Sequence, residues 1–92
     1  MIPVVLAGAI AANVITGVAS WGWGWEGVVT RFERGTPICV TGPLDEWCGN
    51  SIGYGPAKRT GRIADLSRAV FIEICGAPSR GLCRVTLSWE DR

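Results

Sequence analysis

The chain has 92 residues, a net charge of +1, 48% hydrophobic residues and no histidine. This length supports one small domain, and the near-neutral balance without a basic stripe argues against a nucleic-acid partner. Without histidine there is no Ser-His or Cys-His nucleophile pair and the commonest general base is missing, so no enzyme is expected.

No charged residue occurs before Glu26. As a helix, residues 3–20 would rise about 1.5 Å each and reach about 27 Å, close to the thickness of a bilayer's hydrocarbon. Pro3 suits the first turn, where its missing N–H has no intrahelical partner. Every fourth residue then builds one of two ridges. Gly8, Ala12, Thr16 and Ser20 form a small one, whereas Leu6, Ile10, Val14 and Val18 form a bulky one. Small residues at this spacing let helix backbones approach closely, so the expectation is a self-associating membrane or assembly helix. Two alternatives stand beside it: a core helix of a soluble oligomer, and a secretory signal cleaved after Val18-Ala19-Ser20. The signal lacks a basic n-region.

Trp21, Trp23 and Trp25 alternate with glycines directly after this stretch. Tryptophan favours the membrane–water boundary because its ring is apolar while its N–H needs a partner, which makes these three membrane-interface candidates. The other reading is a strand with all three indoles on one face.

Residues 26–33 carry Val28, Val29, Thr30 and Phe32 and read as a strand. A turn at residues 34–37 leads to a second strand at 38–41, so a hairpin is expected. Glycines and prolines punctuate residues 42–58, read as a loop. Within it Asp45 and Glu46 are adjacent carboxylates of a solvated surface, and Lys58-Arg59 is a dibasic pair read as two exposed cations, with a processing-protease site as the alternative. Residues 60–76 read as a helix with Ile63, Leu66 and Val70 on its dry face, Arg62, Asp65 and Arg68 on its wet face, and Gly76 as its C-terminal glycine. In residues 82–89, Cys83, Val85, Leu87 and Trp89 alternate with Arg84, Thr86 and Ser88, the pattern of a half-buried strand.

The even set of Cys39, Cys48, Cys75 and Cys83 suits two disulfides and an oxidising compartment. Their spacings contain no C-x₂₋₄-C knuckle, so no metal is expected. Pairing Cys39 with Cys75 and Cys48 with Cys83 would close long loops and is the expected connectivity, with a local Cys75–Cys83 pairing left open. Neither Gly22-Trp23-Gly24 nor Gly53-Tyr54-Gly55 lies between a strand and a helix as a phosphate-binding loop would, so no cofactor is expected.

The expected fold is therefore α+β: an apolar N-terminal helix over residues 1–25, then a disulfide-stapled domain over 26–92 with a small antiparallel sheet and one helix. The apolar stretch, the four cysteines and Lys58-Arg59 together give an arrangement that resembles the small secreted killer toxins of fungi, including virus-encoded ones. The resemblance implies a secreted, disulfide-bonded α/β sandwich matured at a dibasic site. The functional expectation is a secreted, self-associating toxin or effector that acts on membranes, with itself and a lipid surface as partners. A filament, coat or sheath subunit is the structural alternative, and a single-pass subunit of a membrane complex a further one.

Overall fold

A computed structural model describes residues 13–55 and 60–90. Six strands make one sheet: β1 (Val14–Gly22), β2 (Val28–Thr30), β3 (Pro37–Thr41), β4 (Glu46–Asn50), β5 (Arg62–Ser67) and β6 (Leu82–Trp89). Among the described residues one α-helix, α1 (Arg68–Cys75), follows β5 directly, and a 3₁₀ turn spans Pro78–Arg80. The strand order is β2-β5-β1-β6-β3-β4. β1 runs parallel to β5 and antiparallel to β6, so it lies inside the sheet.

The sheet curls until its two ends nearly meet. Past β4, Ser51 bridges to Val28. Ile52 N–H donates to the Val28 carbonyl at 3.0 Å, and Thr30 N–H donates to the Gly53 carbonyl at 3.2 Å. The result is a nearly closed barrel. At this seam the hydroxyls of Thr30 and Ser51 lie 2.9 Å apart, both fully buried. Ser51→Ala leaves a buried hydroxyl short of a partner and should cost roughly 1–3 kcal/mol. Urea unfolding checks this as a lower midpoint at unchanged slope. Adding Thr30→Val should cost less than the sum of the two single changes, because the hydroxyl–hydroxyl bond is lost only once, although Phe32 N–H then also loses its bond to the Thr30 hydroxyl.

The expected N-terminal helix is overturned for its described part. β-Branched Val14, Ile15, Thr16 and Val18 favour an extended chain, and the backbone pairs with β6 over Val14–Ser20 and with β5 over Val18–Gly22. Ile15, Ala19 and Trp21 turn toward the core. Thr16 lies on the outer side, where its hydroxyl meets that of Thr86. Among the described residues no helix is long and apolar enough to cross a membrane. Gly8 and Ala12 lie outside the described residues.

Three further expectations are corrected. The strands at residues 26–33 and 38–41 exist but form no hairpin with each other: β2 pairs with β5, and β3 lies between β4 and β6. The expected loop after Gly42 contains β4. The expected helix at 60–76 is a strand up to Ser67 and a helix only from Arg68. Ser67 makes the switch, since its hydroxyl caps the helix by accepting from Val70 N–H.

α1 closes one end of the barrel with Val70, Phe71, Ile74 and Cys75, all buried. Gly76 ends it at φ 101°, a backbone angle glycine tolerates, and its N–H bonds the Ile72 and Phe71 carbonyls. The helix end is then fastened twice. Leu44 N–H donates to the Ile74 carbonyl at 3.0 Å, and Cys75 is disulfide-bonded to Cys83 at the start of β6.

The second disulfide joins Cys39 to Cys48. Both bridges are therefore local, and the long-range pairing of Cys39 with Cys75 and Cys48 with Cys83 is wrong. β3 and β4 place Cys39 directly opposite Cys48, and the helix end delivers Cys75 to β6. Lys58 and Arg59 lie outside the described residues, and neither disulfide spans them.

Candidate functional site

The parallel strands β1 and β5 end side by side, with Gly22 opposite Ser67. From these ends the chain departs in two ways. β1 runs into the Trp-Gly loop that leads to β2, and β5 turns at once into α1. Between them lies a cleft of about 510 Å³, lined by Gly22, Trp23, Gly24, Trp25 and Glu26 from the loop and by Arg68, Ala69 and Ile72 from the helix. Ser67 anchors both walls: its hydroxyl accepts from Gly27 N–H at 3.1 Å, and its own N–H donates to the Gly27 carbonyl at 2.8 Å.

The three neighbouring tryptophans take three roles. Trp21 belongs to the core edge, donating from Nε1 to the Pro78 carbonyl at 2.8 Å and lying 6.4 Å from the Phe71 ring. Trp25 is half-buried, its indole packed over Gly22, where an added Cβ would come within 3.2 Å of Nε1. Trp23 is 71% exposed. Its ring is nevertheless held, edge-on to Trp21 at 5.2 Å and under the Arg68 guanidinium at 5.0 Å. A cation over an exposed indole contributes about 0.5–1 kcal/mol, enough to bias the ring's orientation. The expectation of three indoles on one strand face does not hold, because β1 stops at Gly22 and Gly24 turns the chain at φ 88°.

Just below the cleft, Ser20 and Asp65 face each other across β1 and β5. The Ser20 hydroxyl, itself buried, donates to Asp65 Oδ1. Both precede the strand ends by two residues, a depth of roughly 7 Å. Sequence reasoning placed Asp65 and Arg68 together on the wet face of one helix; Asp65 lies instead on β5 opposite Ser20, while Arg68 is the exposed first residue of α1. Ser67 carried the available signal: a serine before an apolar 3.6-residue pattern marks a helix start, and it puts Asp65 on the strand side of that boundary.

The other sequence candidates lie elsewhere. Asp45 and Glu46 are exposed at the turn into β4, where Asp45 Oδ1 accepts from Glu46 N–H and the Glu46 carboxylate accepts from the Thr41 hydroxyl. Potential ligand atoms of Cys39, Glu46 and Cys48 fall within 4.8 Å of one another. The two sulfurs are bonded to each other, so in the oxidised chain only the carboxylate offers lone pairs suited to a cation. Thr16 and Ser20, expected on a helix-association ridge, are engaged by Thr86 and Asp65 within the barrel.

No protein-family model matches the chain, and neither a curated protein nor a solved structure matches it significantly.

Proposed function

We propose that this is a secreted, disulfide-bonded binding protein of the effector kind, and that its tryptophan cleft engages carbohydrate. The observation that carries the reading is Trp23, an indole largely open to water yet biased in orientation by Trp21 and Arg68. Exposing so large an apolar ring has a solvation cost that a ligand would remove. The C–H face of a pyranose ring is a natural partner for an indole, while its hydroxyls can bond Glu26 and Arg68 at the cleft margin. Disulfides support an oxidising compartment. Binding is favoured over glycoside hydrolysis because hydrolysis takes a pair of carboxylates, and Glu26 is the one acid among the residues that line the cleft.

Titration with cello- and chito-oligosaccharides and an oligogalacturonide, followed by calorimetry, tests this reading. Saturable binding to at least one is expected, and Trp23→Ala should weaken it about thirty-fold, the roughly 2 kcal/mol of a central aromatic contact. Thermal stability should barely change, because the ring is outside the core. Saturable binding to none of the three, or binding indifferent to Trp23→Ala, would overturn the proposal. A lipid surface is the second reading, favoured by the exposure of Trp23 and Ile72 on the same cleft. Co-sedimentation with anionic vesicles that Trp23→Ala abolishes would support it.

A further inference from the structure

The two disulfides occupy opposite environments. Cys75 and Cys83 are 2% and 6% exposed and belong to the core. Cys48 is exposed and Cys39 half-buried, both on the outer side of the β3–β4 pair. The roles of the bridges differ as well. Cys75–Cys83 ties a helix to a strand that it does not otherwise pair with. Cys39–Cys48 joins two residues that the ladder already sets opposite each other, Cα to Cα at 4.1 Å. That spacing belongs to a non-hydrogen-bonded antiparallel pair, so the backbone bonds of β3 and β4 form at the flanking positions and do not depend on the sulfurs. β3 is also held by β6 on its other side.

From this contrast we propose that Cys39–Cys48 is a thiol-exchange site, with Cys48 Sγ the sulfur that an external thiol attacks. The partner class is a low-pKa thiol or dithiol, whether glutathione or a thioredoxin-like protein. Its thiolate forms a new S–S bond to Cys48, and Cys39 Sγ departs with the bonding electron pair as a thiolate and takes up a proton from water. A second thiolate then attacks the partner sulfur and releases Cys48, leaving the partner oxidised by two electrons and the protein reduced by two. Access governs such exchange, and access is what separates the two bridges. The reduced pair stays preorganised, because the strands still hold the two cysteines face to face, so reoxidation restores the same bond.

The test uses the wild-type chain in a series of glutathione redox buffers, quenched by alkylation and mapped by peptide mass. Cys39 and Cys48 should become alkylated at about ten-fold lower reductant than Cys75 and Cys83, while the far-ultraviolet dichroism stays native. Removing reductant should restore the Cys39–Cys48 bond. A trapped glutathione adduct should fall on Cys48 rather than Cys39. The proposal is overturned if both bridges open together with unfolding, if Cys75–Cys83 opens first, or if the adduct maps to Cys39.

Discussion

Phe71→Ala should be the most damaging single truncation in the barrel, at about 3–5 kcal/mol. Phe71 is fully buried and sits on α1 where the helix closes the barrel. Its ring backs Trp21, which in turn flanks Trp23. Alanine would leave a void under the helix that β1, hydrogen-bonded on both sides, cannot move in to fill. For a domain of this size each kcal/mol shifts the melting temperature by about 4–8 °C, so much of the folded population should be lost well below the wild-type midpoint. Calorimetry or thermal dichroism reads the shift. Weaker saccharide binding should accompany it even at low temperature, since the Trp21 support loosens. A melting point within a few degrees of wild type would mean that α1 is not a structural plug.

Gly42→Ala should be nearly as harmful, although it adds a single methyl group. A Cβ at this position would lie 2.3 Å from the Ile74 carbonyl oxygen and 2.9 Å from its carbon. These are backbone atoms, so no rotamer change can relieve the clash. Either the turn after β3 or the last turn of α1 must shift. The hydrogen bond from Leu44 N–H to the same carbonyl would be strained with it. Forced overpacking of this kind costs about 1–3 kcal/mol, and the backbone contact places Gly42→Ala at the upper end. Urea unfolding measures it directly. Gly35→Ala makes a useful contrast, because no atom beyond its chain neighbours lies within 4 Å of its Cβ position, and its φ of 93° puts the cost in the backbone angle.

The residues explain which parts of this fold can be read from sequence. β6 was legible because Cys83, Val85 and Leu87 alternate with outward residues over a full strand, a pattern only period two produces. The N-terminal stretch misleads for a specific reason. A recurrence every four residues fits a helix face and also a strand face, because four is a multiple of two. Thr16 and Ser20 therefore share a side in either structure, and the β-branched content of residues 14–18 was the better guide. Residues 60–76 join two periods. Ala64 and Leu66 alternate inward, after which Val70, Phe71, Ile74 and Cys75 follow helical spacing, and Ser67 marks the join. Strand partners were not legible. The parallel pairing of β1 with β5 joins segments far apart in the chain, with Val18 opposite Arg62, which no local pattern encodes, and the cleft depends on that pairing. The Trp-Gly repeat marks the loop that forms one wall of the cleft. Its partner Arg68 could not be found until α1 was known to begin there.

The most direct test of the binding cleft uses the five tryptophans as internal probes. Each indole N–H gives its own nitrogen–proton NMR correlation, assignable by single substitutions, and the oligosaccharides named above can be titrated against all of them at once. The cleft account predicts saturable shifts for Trp23 and Trp25, a smaller one for Trp21, and none for Trp47 and Trp89. Shifts centred on Trp47 or Trp89, or five unmoved signals at saturating saccharide, would contradict it.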